Sequence, residues 1–217
     1  MAITLSTGLT ASVAKTYATA LAFTAASNAT DCTLTVSGST IAAGDYVEVN
    51  SGWGRLDKRV VRAKAGTSAT ALILEGVDTT DTAKYPSTAG QSGTVRKVTA
   101  WSQLTQVKSL SASGGEQKFA DVTAIDDVVE RQMPTVRGAV TMTMDVYDDP
   151  TLAWYGDVSA ADAARSPYGL LMSFPNGSKL VANSYWSLQK VPTMQQNEAL
   201  MTRIDLSYAA EPIRYSA

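Results

Sequence analysis

One run of strict alternation past the middle of the chain limits the possible folds more than any other feature. Val136, Gly138, Val140, Met142, Met144 and Val146 fall on one side; Arg137, Ala139, Thr141, Thr143, Asp145 and Tyr147 fall on the other. Strand side chains point alternately to opposite faces, so the pattern predicts a strand packed on one side and wet on the other. Asp148-Asp149-Pro150 then reads as a helix start. Asp149 is a cap for the free amides, and Pro150 suits the first helical position, where no N–H is needed. A helix is expected over about 150–165, with Trp154, Val158 and Ala161 on one side. Gly156 weakens it by about 1 kcal/mol relative to alanine, and Ser166-Pro167 stops it. Tyr168 to Phe174 predicts another strand, and Pro175-Asn176-Gly177 a hairpin turn.

The flanking sequence extends this into a mainly β chain. Residues 1–28 are Ala-, Thr- and Ser-rich with one charge, Lys15; a strand at Ile3 to Leu5 followed by a weak helix or an extended arm both fit. Between 29 and 98 short strands recur at regular spacing: Thr33–Val36, Tyr46–Val49, Arg59–Ala63, Ala71–Leu74 and Thr94–Val98. Gly, Asp, Asn and Ser separate them, which predicts a small all-β module inserted into the chain. From Thr99 a strand, a Gly114-Gly115 turn and a second strand, Lys118 to Thr123, lead to a polar stretch, Asp126 to Pro134, that is expected to project. After the hairpin turn, Leu180, Ala182, Ser184, Trp186 and Leu188 share one face, and Leu200, Ile204, Leu206 and Tyr208 share another. The expected organisation is an arm (1–28), the module (29–98) and a main domain (99–217). The main domain is a two-sheet antiparallel β-sandwich or barrel with one flanking helix.

Composition removes most chemistry. The 217 residues contain no histidine, so the commonest general base and metal ligand is missing. A single cysteine, Cys32, excludes an internal disulfide and lacks a histidine to activate it. The acidic pairs Asp78/Asp81, Asp126/Asp127 and Asp148/Asp149 read as turns, a solvated loop and a helix cap, without calcium-loop spacing. A net charge of −2 argues against a general nucleic-acid binder, which needs a basic footprint. The N-terminus lacks a basic signal-peptide region, and the apolar run Tyr17 to Ala26 is far short of a membrane span. The chain is expected to be a soluble, non-exported, non-enzymatic protein with no cofactor and no metal.

The order of features resembles the major tail tube proteins of long, non-contractile-tailed (siphovirus-type) bacteriophages. The strand–Asp-Asp-Pro–helix–strand unit (Val136 to Phe174), the Pro175-Asn176-Gly177 turn and the closing Pro212-Ile213-Arg214-Tyr215 carry the resemblance. So do Gly114-Gly115-Glu116 and Gln132-Met133-Pro134-Thr135; together they cover 1–28 and 99–217. The insert is similar to small β-modules of phage structural proteins through Gly44 to Val49, Gly76 to Thr80 and Gly93 to Arg96, but lacks their His-Gly. The resemblance implies hexameric rings stacked into a tube around a tape-measure protein, capped by terminator and distal tail proteins. The tube is assembled in the host cytoplasm, becomes part of the virion tail and conducts DNA without reading its sequence. It also assigns candidate roles. Thr141, Thr143 and Asp145 would line the channel, although the same face could be the outer tube surface. Gly114, Gly115, Glu116, Asp126, Asp127, Glu130 and Arg131 would make contacts between rings. A virion receptor- or carbohydrate-binding β-module, using the insert and Trp53, is the alternative.

Overall fold

A computed structural model describes residues 7–194 and 196–216; the strand expected at Ile3 to Leu5 lies outside them. In chain order the elements are β1 (Thr10–Tyr17), β2 (Leu21–Ala26), β3 (Thr33–Val36), β4 (Tyr46–Ser51), β5 (Arg59–Arg62), β6 (Ala71–Ile73), β7 (Gly93–Leu104) and β8 (Val107–Gly114). There follow β9 (Gln117–Asp121), β10 (Gln132–Arg137), β11 (Val140–Tyr147), α1 (Ala153–Ala164), β12 (Tyr168–Ser173), β13 (Lys179–Leu188), β14 (Met201–Tyr208) and β15 (Ile213–Tyr215). The fold is mainly β, with antiparallel sheets forming a sandwich and one flanking helix.

Two cores organise it. Six strands in the order β5–β4–β7–β2–β3–β6 make a small barrel, and an Ala63–Leu74 bridge brings β6 back to β5. Phe23, Leu34, Val47, Val49, Leu56, Val60 and Leu72 fill it. The second half of β7 then leaves the barrel to pair with β1, opening a larger sheet in the order β7–β1–β12–β13–β14–β11–β8. One face of that sheet buries Val13, Met142, Met144, Leu170, Trp186, Ile204 and Leu206. Helix α1 covers it with Trp154, Val158 and Ala161, resting on β13, β7 and β1.

Between the cores, the Val181–Ser184 part of β13 is buried on both sides. Ala182 and Trp186 face the helix-covered core, while Val181 packs with the barrel cluster beside Ile213 and Tyr215 of β15. The Arg62 amide donates to the Tyr215 hydroxyl at 2.8 Å, tying β15 to the barrel. Glu48, only 2% exposed, accepts from Arg96 Nε and Nη2 at 3.1 and 2.8 Å. The Arg96 guanidinium stacks 4.0 Å from the Tyr17 ring centre, and Tyr17 in turn accepts from the Gly169 amide. Burial pushes the Glu48 carboxyl up, and the adjacent Arg96 works against that rise. Such a pair adds little net stability when complete but costs about 3–5 kcal/mol when one partner is removed.

Several expectations change in three dimensions. The central strand does not begin at Val136: β10 ends at Arg137, and β11 starts at Val140 after a break at Gly138-Ala139. Val136 is 68% exposed, because the segment before the break belongs to a separate two-stranded arm with β9. From Val140 to Tyr147 the expected alternation is present, with Met142, Met144 and Val146 buried. Asp149 does not cap the helix. Its carboxylate accepts from the Thr151 amide and hydroxyl at 3.0 and 2.6 Å, closing a turn that holds Pro150, and the helix begins beyond it with Leu152 as its cap residue. Residues 10–26 are neither a helix nor a detached arm. They form β1, which lies between β7 and β12, and β2, which completes the barrel. The strand expected at 94–98 and the one after it are a single strand, β7, that passes from one core into the other.

Candidate assembly surfaces

The face of the larger sheet opposite α1 is a polar surface built by four strands. Tyr185 and Ser187 come from β13; Arg203, Asp205 and Ser207 from β14; Thr141, Thr143 and Asp145 from β11; and Ser109, Ser111 and Ser113 from β8. Strand register sets these rows: Thr143 stands opposite Asp205 on one side and Ser111 on the other. The side chains are joined across strands. Thr143 donates to Asp205 at 2.8 Å, Ser113 and Thr141 share a hydrogen bond at 2.9 Å, and Asp145 accepts from Ser109 and Arg203. The Ser109 hydroxyl, followed by Arg203, holds the Asp145 carboxyl below the usual carboxylate range. The three channel candidates read from the sequence therefore lie in one cross-linked patch, together with eight residues from β8, β13 and β14 that the single-strand reading left out.

That four-stranded patch ends in unpaired backbone on both sides, among the described residues. β8 is the last strand of the sheet, with β11 as its one neighbour there. At the other end β12 pairs with β13 only as far as Ser184, so residues 185–188 have β14 on one side and no strand on the other. Free strand edges are templates for pairing with another chain.

Beyond Gly114 and Val140 the β8–β11 pair continues as an arm, β9 with β10. Glycine is needed where the arm leaves the body. Gly114 has φ +84°, and a Cβ there would lie 2.0 Å from the Ala139 carbonyl oxygen. Gly115 has φ +78°, and the Gly138 amide donates to the Glu116 carbonyl at 2.8 Å to carry the pairing past the break. At the far end, residues 122–131 form a tip held by the Val122 amide donating to the Arg131 carbonyl. Asp127 accepts from the Ala124 amide and pairs with Arg131 at 3.1 Å. The structure thus separates the contact candidates into a hinge, Gly114 to Glu116, and a tip, Asp126 to Arg131.

The sequence reading weighed this loop by its charges and missed its apolar residues. Phe119, Val122, Ile125, Val128, Val129, Met133 and Val136 are all exposed along the arm, with Ile125 and Val128 essentially bare. The signal was present in the sequence as four β-branched apolar residues in a segment that could not be core. Exposed apolar side chains gathered on one projecting element mark an interaction site.

Elsewhere, groups that suggested chemistry have structural employment. Cys32 is fully buried, and burial pushes its thiol up to about 11. Asp78 accepts from the Thr80 amide and hydroxyl, Asp81 pairs with Lys84, and Asp148 accepts from the Thr202 hydroxyl. Trp53 is not a surface platform: it is 2% exposed and donates its indole N–H to the Pro86 and Ala89 carbonyls inside the barrel. Among the described residues no cluster of carboxylates and cysteine could hold a metal ion, and no helix is long and apolar enough to cross a membrane.

Fold and surfaces together define a mainly β structural protein whose distinctive features are an edge-exposed polar sheet and an apolar arm. The chain belongs to the phage tail tube protein family, whose model matches residues 51–217. It is a structural component of a phage tail, and the match takes in residues 51–98 of the expected insert. Among solved structures, the tube-terminating cap of the anti-feeding prophage is similar, at 22% identity and a TM-score of 0.39. That similarity covers 53% of this chain and 83% of the cap. No curated protein has a matching sequence.

Proposed function

We propose that copies of this chain form hexameric rings that stack into the tail tube and conduct DNA during ejection, with the four-stranded polar face lining the channel. The observation that carries this reading is the combination of one uncovered polar face with a free strand edge at each end. Pairing β8 of one copy with the open part of β13 in the next would close the sheet around a ring by heterologous contact. Six copies of four strands make about 24 strands; at ~4.8 Å per strand the circumference is about 115 Å and the diameter about 37 Å, before tilt widens it. That bore accommodates duplex DNA.

The chemistry of the face suits passage rather than capture. Phosphate contacts come chiefly from Lys and Arg. Here Arg203 is tied to Asp145, and Asp205 leaves the patch with a net negative charge repeated in every copy. Thr141, Thr143 and Asp145 are the central channel residues in this reading. The arm joins copies in adjacent rings through its hinge (Gly114, Gly115, Glu116) and tip (Asp126, Asp127, Glu130, Arg131). The barrel, made by residues 29–98 together with β2, faces outward as a module. A tape-measure protein inside the tube, and terminator and distal tail proteins at its ends, complete the virion tail, which is assembled in the host cytoplasm.

Negative-stain microscopy of the purified chain tests polymerisation: hollow tubes or six-fold rings are expected, and only dispersed monomers would overturn it. The facing of the sheet is read from Thr143→Cys in a Cys32→Ser background. On intact tubes the new thiol should react with a small maleimide and resist a bulky one. Rapid reaction with the bulky reagent would put the face on the outside.

A further inference from the structure

We propose that the apolar, acidic tip of the arm docks in a cleft at the base of the same arm in a second copy of the chain. This rests on the polymerisation reading above and names the acceptor surface for the arm. The cleft has a volume of about 880 Å³ and lies between the arm base, the barrel loop carrying Arg55 and the segment after β14. Val136, Val140 and Pro212 supply its apolar wall; Arg55 and Arg137 outnumber its one acid, Glu211.

The tip is the complement of that cleft. Ile125, Val128 and Val129 stand exposed on it. Arg131 is taken up by Asp127, so Asp126 and Glu130 remain as carboxylates without an ion pair among the described residues. Arg55 and Arg137 are both exposed and likewise form no ion pair among the described residues. Each surface therefore carries an apolar centre and an excess of charge, negative on the tip and positive in the cleft, the arrangement that selects a partner and fixes register.

The chain cannot satisfy itself. Arg137 is the last residue of β10 and the tip begins before its first, Gln132. Six extended residues place about 20 Å between the cleft and its own tip. A copy displaced by one arm's length presents its cleft to that tip. In that translated arrangement the contact is head-to-tail and propagates through an assembly.

The test is a charge swap on the full chain, read as the critical concentration for sedimentable rings or tubes. Asp126→Lys with Glu130→Lys, and separately Arg55→Glu with Arg137→Glu, should each raise it about tenfold or more, since like charges placed together oppose association strongly. Combining all four substitutions should restore assembly toward the wild-type value. All four sites are exposed, and unchanged thermal unfolding of each unassembled variant would exclude misfolding as the cause. If the wild type assembles and either charge variant assembles equally well, or the combination fails to rescue, the docking is wrong and polymerisation stands. A wild-type chain that stays monomeric overturns both.

Discussion

Replacing Gly114 with alanine should release the arm while leaving the two cores folded. Gly114 holds φ +84°, a left-handed conformation that costs an L-residue about 1–2 kcal/mol. The new Cβ would also lie 2.0 Å from the Ala139 carbonyl oxygen, so backbone, not a side chain, must move by more than an ångström. That shift breaks the terminal Gly114–Val140 pairing, at about 1 kcal/mol for each hydrogen bond lost. A total of about 2–4 kcal/mol falls on a two-stranded arm, and an isolated hairpin of that kind is only marginally stable. Gly115→Ala is the internal control: φ +78° gives the same conformational cost, but its Cβ meets only the Val140 side chain at 3.2 Å. Hydrogen exchange followed by mass spectrometry is the assay. Gly114→Ala should lose protection across residues 117–137 with β1, β12 and β14 unchanged, and should assemble poorly. Gly115→Ala should fall between it and wild type. Wild-type protection in the arm of Gly114→Ala would refute the hinge argument.

Leu206→Ala, in the helix-covered core, should destabilise the chain by about 2–5 kcal/mol through lost burial and a residual cavity, measured as a lower urea midpoint at unchanged slope. Glu48 titrates higher folded than unfolded, so the folded state holds its proton more tightly. Its contribution is therefore full below the unfolded value near ~4.3 and is lost as pH rises through the folded value. The stability difference between wild type and Glu48→Gln should fall as pH is raised from about 4 to 7, and a flat difference would contradict the burial effect. Asp78, Asp121 and Asp149 have carboxyls held low by threonine hydroxyl and amide donors, so their turns should loosen only as pH falls below the carboxylate range, seen as amide shifts at Thr80, Thr123 and Thr151.

The sequence by itself determined the parts of this protein whose cause is local. Alternation from Val140 to Tyr147 is a property of eight consecutive residues, and the strand buries the face it indicates. Asn176-Gly177 makes its turn because Gly177 can take φ +81° and the Asn176 side chain accepts from Ser178. The absence of histidine is a fact of composition that no fold can alter. Tertiary structure decided what depended on distant partners. β1 is a weakly strand-forming Ala/Thr/Ser segment, and it is a strand because β7 and β12 flank it. Val136 continues the alternation in sequence, yet it is exposed because the sheet that would cover it ends at Val140. Val181 and Asn183 lie on the face of β13 opposite Leu180, Ala182 and Trp186, and they are buried because the barrel lies against that face. The assembly surfaces follow the same rule: four strands distant in sequence make the polar face, and its free edges exist only once the strand order is known. A pattern along one segment records which side of it is apolar; which element lies against that side, or whether any does, is settled by contacts between segments far apart in the chain.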